Sequence, residues 1–405
     1  MRTDCIENSG NKVIADLTNG GAWYNLIFEQ LPFVSILEES KKFGHMKSKE
    51  VKLFTVGPAQ MYKHTLEVRN HVVPYFRTLE FSELMRENRQ LFLKLADAEE
   101  DSDTVFLTAS GSGAMEATVM NCFDESDKLL VISGGTFGER FEQICEIHKI
   151  PFKALKLGHD EELKKEHFAE YEGKGFTGLL VNLHETYTGQ LYNIDIIHDF
   201  CRRNHLYLIV DAISTFLCDE YHMKKYDIDV TIVSSQKGLC LAPGLSVVVL
   251  SSRIVKERVM KNKVRSLYFD FKDYLLNMKR GQTPFTPCVG VLFELNDMLH
   301  HIEEQGVENR VREVRERACY FRNKISGLPI HLPPFPLSNA ISPIRFEKDI
   351  AMEFFTYLKD EKNIMVNPVG GELGKSSIRI AHIGDLSFND YDLLLEEIKH
   401  FFEIC

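Results

Sequence analysis

A lysine stands where a solvated surface explains it poorly. Lys237 follows the apolar run VTIVSS and precedes the apolar loop LCLAPG. A desolvated amine has a depressed pKa and is a competent nucleophile. Four other groups hold comparable places, each just after an apolar run. Ser110-Gly111-Ser112-Gly113 follows TVFLTA, and Gly134-Gly135-Thr136-Phe137-Gly138 follows KLLVIS. His184-Glu185-Thr186-Tyr187-Thr188-Gly189 follows GLLVNL, and Asp211 follows LYLIV. Small residues opening a helix let backbone N–H groups approach an anion, and the helix dipole favours negative charge there. This stretch is neither GxxxxGK[ST] nor GxGxxG. Phe137 can stack on a planar ring, or it can pack as one of 28 phenylalanines. The 184–189 cluster suits a site or a helix N-cap. An Asp closing an apolar strand is costly without a cation. That cation is a metal or a protonated ring nitrogen, and no cluster at metal-ligand spacing supports a metal.

These residues need a scaffold that gathers them. Seven β-branched runs, TVFLTAS, KLLVIS, FKALKL, GLLVNLH, LYLIVDA, VTIVSS and LSVVVLSS, alternate with helical stretches such as AMEATVMNCF, GERFEQICEIH and IDIIHDFCRRNH. Apolar strands alternating with helices predict an α/β fold: a large domain with a mostly parallel seven-stranded sheet flanked by helices. A long helical region is expected over Pro287–Ile325, then a Pro-rich connector. The chain should end in a smaller α+β C-terminal domain, read as strand ISPIRF, helix AMEFFTYLKDEKN, strand SSIRIAHI and helix DYDLLLEEIKHFF. The expected division is 1–53 an N-terminal appendage containing the single tryptophan, Trp23; 54–285 the large domain with its N-terminal arm; 286–326 connecting helices; 327–405 the small domain.

In an open α/β sheet, ligands bind beyond the carboxyl ends of the strands. A phosphate cradle, an aromatic ring, an Asp and a Lys at such ends have one economical reading. Pyridoxal phosphate needs an anion site, a stacking face, a carboxylate for its ring nitrogen and an amine for its aldehyde.

The motifs SGSGAMEA, TFGER, HETYTG, VDAIS and SQKGLCLAPG, in this order, resemble the class V group of fold-type I pyridoxal phosphate enzymes. The resemblance is nearest to the alanine–glyoxylate, serine–pyruvate and 2-aminoethylphosphonate–pyruvate aminotransferases, and it runs from about Phe54 to the C-terminus, with FTVGPAQM matching an opening strand. It implies that Ser110, Gly111, Ser112 and Gln236 bind the phosphate. It implies that Phe137 stacks on the ring, Ile213 packs on its other face, Thr186 bonds near the ring hydroxyl, Asp211 pairs with the ring nitrogen and Lys237 forms the Schiff base. Thr283 and Thr286, in QTPFTP, match positions that reach the neighbouring subunit's phosphate, so a homodimer with shared sites is expected. Arg379, in SSIRIAHIG, matches the arginine that grips the substrate carboxylate, a task suited to a guanidinium fork. Relatives place Trp or Tyr at 137 and His or Thr at 112.

The implied activity is ping-pong transfer of an amino group, from an alanine, serine or 2-aminoethylphosphonate type of donor to a 2-oxo acid such as pyruvate or glyoxylate. One rival is a lyase or desulfurase-type reaction; such relatives carry His before the lysine and over the ring, where this chain has Gln236 and Phe137. The other is a non-catalytic binding or regulatory protein on the same scaffold. Arg69, Arg77 and Arg265 are read as ordinary solvated arginines.

A net charge of -11 argues against a nucleic-acid partner. No apolar run approaches the roughly 20 residues of a membrane helix, and the N-terminus lacks a signal pattern, so a cytoplasmic location is expected. The nine cysteines form no CxxC pair and read as reduced core residues, Cys240 and Cys288 being the nearest to the motifs.

Overall fold

The computed structural model describes residues 51–404; the expectations for the N-terminal appendage, Trp23, Cys5 and Cys405 lie outside them. The seven apolar runs form one sheet, in the order β2–β10–β9–β8–β5–β3–β4. Its strands are β2 (Asp103–Leu107), β3 (Leu129–Ser133), β4 (Phe152–Lys156), β5 (Gly178–Asn182), β8 (Tyr207–Asp211), β9 (Val230–Ser234) and β10 (Ser246–Leu250). Only β10 runs against its neighbours. The carboxyl ends of the other six strands therefore share one edge, and the candidate residues follow them there.

The strands are apolar throughout because both faces are covered. Leu130, Ile132, Leu179, Val181, Leu208 and Val210 face one core layer, and Leu129, Val131, Leu180, Ile209 and Ile232 the other. Full burial of such side chains contributes roughly 1.5–3 kcal/mol each. The first layer is completed by Phe81, Met85 and Phe92 of α2 (Leu79–Leu95) and by Leu292, Leu295 and Met298 of α7 (Val289–Gln305). The second is completed by α3 (Gly111–Cys122) and α4 (Thr136–Ile147), through Ala114, Met115, Val119, Phe141 and Ile144. Thr78 caps α2, its hydroxyl accepting the Phe81 N–H at 3.2 Å.

A second sheet has the order β1–β13–β14–β12–β11. It joins β1 (Lys52–Phe54) to β11 (Ile330–His331), β12 (Ile341–Phe346), β13 (Ile364–Pro368) and β14 (Ser377–Ala381). Strand β1 pairs in parallel with β13, so the first described strand joins the sheet built from the last strands of the chain. Helices α8 (Val307–Lys324), α9 (Ala351–Lys362) and α10 (Phe388–Ile404) cover this sheet through Phe321, Phe354, Leu358, Leu394 and Ile398.

The connecting helices expected over 286–326 are α7 and α8, separated at Gly306, whose φ of +85 suits glycine. Two expectations need correction. Cys319 is exposed on α8 rather than a core residue, whereas Cys122, Cys145, Cys201, Cys218 and Cys240 are buried and Cys288 is partly so. Arg77 is not a solvated arginine. Its guanidinium donates to Gln282 Oε1 at 3.0 Å and to the carbonyls of Thr283 and Pro284, and stacks 4.6 Å from the Phe76 ring centroid. It ties the 282–284 turn to the chain ahead of α2. Arg265 is exposed, and Arg69 is exposed with an ion pair to Glu294 at 3.3 Å.

Among the described residues no helix is long and apolar enough to cross a membrane.

Candidate active site

The site is built on strand ends. Asp211 is the last residue of β8, in register with Asn182 of β5 and Ile232 of β9. It is 5% exposed, and its one side-chain hydrogen bond among the described residues comes from Ile213 N, at 2.8 Å. Burial pushes its carboxyl up to about 7, against the lowering effect of the Ile213 bond and of Lys237 and Arg140. Its raised pKa shows that these charges do not offset its burial, and it makes no ion pair within 4.0 Å among the described residues.

Lys237 follows β9. Its side chain is half-buried. Burial and, second to it, the Arg379 charge lower its pKa to about 8 against the opposing effect of Asp211. Its alkyl chain runs past the Gly57–Pro58 turn after β1. A Cβ at Gly57 would lie 2.6 Å from Lys237 Cδ and 3.1 Å from Nζ. That turn is anchored by Val56 N donating to Asn367 Oδ1 at 2.6 Å and Ala59 N donating to the Gln236 carbonyl at 3.1 Å. Gly57→Ala is expected to displace the amine and lower kcat by about 10- to 100-fold, the equivalent of a 1–3 kcal/mol overpacking cost. Steady-state rates, with circular dichroism to confirm the fold, check this.

The anion cradle opens α3. Ser110 is its N-cap, the hydroxyl accepting Gly113 N at 3.5 Å. A Cβ at Gly111 would lie 2.4 Å from Ile213 Cδ1 and 3.5 Å from Ser234 Cβ, so the cradle abuts both β8 and β9. Ser234 Oγ donates to Gln236 Oε1 at 2.7 Å, which leaves the Gln236 amide nitrogen free to donate.

Phe137 is the second residue of α4. That helix has no side-chain cap at Gly135. The buried Glu185 side chain lies beside the start of this helix, where a Cβ at Gly135 would fall 2.7 Å from its Cδ, and it accepts from Tyr187 N at 3.0 Å and Asn182 Nδ2 at 2.8 Å.

The 184–189 cluster is a hairpin, β6 (His184–Glu185) against β7 (Gln190–Leu191), and caps no helix. Thr186 is buried there, and its carbonyl accepts Arg379 Nη1 at 3.2 Å. Arg379 Nη2 donates to the Pro368 carbonyl at 2.6 Å, while its Nε is buried without a partner. Burial lowers the Arg379 pKa to about 10, and Glu185 acts in the opposite direction. Two carbonyls orient this guanidinium without neutralising it, which suits a carboxylate ligand.

The structure thus gathers Lys237, Asp211, Ile213, Gln236, Ser110, Gly111, Ser112, Phe137, Thr186 and Arg379 about one cleft. Thr283 and Thr286 stand apart in this single chain. Thr283 is buried and donates to the Phe285 carbonyl at 2.7 Å, and Thr286 is exposed.

His184, Glu185 and Gly57 lie in stretches that the sequence marked, but without roles of their own. His184 is buried with both ring nitrogens unpartnered. Burial, then the charge of Lys237, lowers its pKa to about 3 and keeps the imidazole neutral. The signal for Glu185 was available: an acid directly after a buried strand, in the cluster already singled out.

The residues suit pyridoxal phosphate. The buried, uncompensated Asp211 calls for a cation such as a protonated ring nitrogen, and the α3 cradle is open to an acceptor-only group. Among the described residues no group of three or more His, Cys, Asp or Glu could hold a metal, the other cation that Asp211 could take.

The family model described as aminotransferase class-V matches residues 60–381. An uncharacterized aminotransferase of Methanocaldococcus jannaschii is 29% identical over 345 residues, covering 82% of this chain and 87% of that one. A 2-aminoethylphosphonate–pyruvate transaminase of Lysinibacillus sphaericus is 26% identical, covering 77% of this chain and 87% of that one. The crystal structure of an alanine–glyoxylate aminotransferase from Nostoc sp. superposes with a TM-score of 0.80 at 20% identity, covering 89% of this chain and 98% of that one, and so shares the fold. With most of its length matched to that family model, and a cleft that suits the family's cofactor, the chain belongs to the class V aminotransferases and is a pyridoxal phosphate-dependent enzyme.

Proposed function

We propose that the enzyme moves an amino group from a small donor, of the alanine, serine or 2-aminoethylphosphonate type, to a 2-oxo acid such as pyruvate or glyoxylate. The observation that carries this reading is the pairing of Lys237 with Arg379. A nucleophilic amine with a pKa near 8 shares the cleft with an oriented guanidinium that has no carboxylate of its own. The relatives' acceptors, pyruvate and glyoxylate, are small carboxylates that such a guanidinium suits.

Pyridoxal phosphate, when bound, supplies an electron sink. Lys237 would hold it through its amine, and Asp211 would keep its ring nitrogen protonated. Phe137 and Ile213 would pack against the ring, Thr186 would hydrogen-bond near the ring hydroxyl, and Ser110, Gly111, Ser112 and Gln236 would bind the phosphate. Arg379 would grip the substrate carboxylate and orient the α-carbon, and Lys237 would act as the general base toward the α-carbon proton.

Thr283 and Thr286 are assigned to the phosphate of a second copy, in a homodimer. Exposed Val72, Val73 and Tyr75 supply apolar surface for that contact. Scattered cysteines without a CxxC pair support a cytoplasmic location. Sedimentation at a single-chain mass would refute the dimer.

The direct test is a donor screen on loaded enzyme, read by loss of its visible absorbance and its return with pyruvate or glyoxylate. Sulfide release from cysteine without amino transfer would favour the lyase reading. A chain that stays colourless with added cofactor would favour a non-catalytic role. Arg379→Lys is expected to raise KM for the oxo acid about 10- to 100-fold, the value of a charged hydrogen-bonded contact of 1.5–3 kcal/mol, with a smaller change in kcat. Steady-state kinetics on pyruvate and glyoxylate check it; an unchanged KM refutes the assignment.

A further inference from the structure

Arg140 is one turn beyond Phe137 on α4, an i,i+3 spacing that puts both side chains on one face of the helix. Its guanidinium carbon lies 5.1 Å from the Phe137 ring centroid. Its Nη1 donates to Ser112 Oγ at 2.5 Å, crossing from α4 to the first turn of α3. It also lies near enough to Asp211 to lower that carboxyl's pKa. Among the described residues its guanidinium has Ser112 and the Phe137 ring as neighbours and makes no ion pair with a carboxylate within 4.0 Å.

The direction of the Ser112 bond matters. A serine hydroxyl has one proton and two lone pairs. Accepting from a guanidinium occupies a lone pair and leaves the proton free to point elsewhere. Hydrogen bonds in such a chain polarise one another, so this hydroxyl is a stronger donor than an unassisted serine. A group beside it at the α3 N-terminus is best an acceptor carrying negative charge, which a phosphate dianion is. The face of Phe137 holds the guanidinium in place from the other side.

We infer that Arg140 is a positioning residue for the cofactor phosphate: it turns the Ser112 hydroxyl into a phosphate donor and supplies side-chain positive charge at that end of the cleft. This rests on the cofactor placement proposed above. Lys237 and Arg379 are engaged with the aldehyde and the substrate carboxylate in that placement, so Arg140 is the cation left for the phosphate.

The test is reloading of the full-length chain after removal of its cofactor, with pyridoxal phosphate and, separately, with pyridoxal, which lacks the phosphate. Binding is read by visible absorbance and by quenching of protein fluorescence. Arg140→Gln is expected to weaken pyridoxal phosphate binding roughly 10- to 100-fold and to leave pyridoxal binding unchanged within a factor of about two. Arg140→Lys should recover part of the loss, since it keeps the charge but not the planar fork. Unchanged affinity for pyridoxal phosphate overturns the inference. So does an equal loss for both ligands, which is what a merely structural arginine on α4 would give. Should Arg140→Gln fail to fold, Arg140→Lys is judged by the same ratio. If wild-type chain shows no visible band dependent on Lys237, the placement itself fails; if the band is present and the ratio is unmoved, only the role of Arg140 fails.

Discussion

Lys237→Ala is expected to abolish the visible absorbance of the loaded enzyme and to lower kcat by roughly four orders of magnitude. Base catalysis alone contributes about 10²–10⁴-fold, and the same amine also holds the cofactor. The loss should be chemical rather than structural. Burial already opposes the charged amine, as its pKa of about 8 shows, so removing it spares the fold a buried cation at neutral pH. It does leave space beside Gly57, because the lysine's alkyl chain packs there. Lys237→Met fills that space without an amine and separates the two effects. Both variants should fold, and both should lack the band and the activity. A Lys237→Met enzyme that transaminated at even a tenth of the wild-type rate would remove Lys237 from the reaction.

Lys237 was conspicuous in the sequence because desolvation leaves a local trace: a charge between two apolar runs. The same trace marked Asp211 at the end of β8. The seven strands were legible for a related reason. Burial on both faces makes each strand continuously apolar, and such runs stand out against amphipathic helices. Strand β13 (IMVNP), which ends on Asn367 and Pro368, and the three-residue β1 (KLF) carry no such run. Their pairing across most of the chain length left no local trace.

Parts of the site were illegible for a different reason. Gly57 is required by the path of a side chain far along the sequence, and nothing near Gly57 announces it. Arg140 sits in the quoted TFGER motif, but its partner, Ser112, belongs to another helix. The arginines that sequence reasoning weighed show the converse. Arg77 reads like any surface arginine until its hydrogen bonds to the 282–284 turn are seen. Local desolvation is written in sequence; which groups meet across elements is decided by packing.

Asp211→Asn is expected to lower kcat of the loaded enzyme by about 10²–10³-fold, the scale on which oriented charge stabilises a transition state, while making the cofactor-free protein more resistant to heat at alkaline pH. The two effects share one cause. Burial raises the Asp211 pKa from 3.8 to about 7, so the folded state holds this proton more tightly than the unfolded chain does. The stabilisation from the neutral carboxyl is complete below pH 3.8 and is lost as pH rises through about 7. At about 1.4 kcal/mol per pK unit, the ionised carboxylate costs the empty protein a few kcal/mol above that range. Asparagine stays neutral and keeps an oxygen for Ile213 N, so it avoids this cost. Its amide donates where the carboxylate accepted, so a ring nitrogen facing it is favoured without its proton, and the electron sink weakens. The melting temperature of cofactor-free Asp211→Asn minus that of wild type should therefore grow from pH 5 to pH 8.5, and loading should shrink the difference. A difference that is flat with pH would mean that Asp211 is already paired within the protein. An unimpaired kcat would mean that the cofactor ring does not face it. A carboxyl whose ionisation weakens the empty fold at alkaline pH is then the one that the loaded enzyme uses to hold charge on the ring.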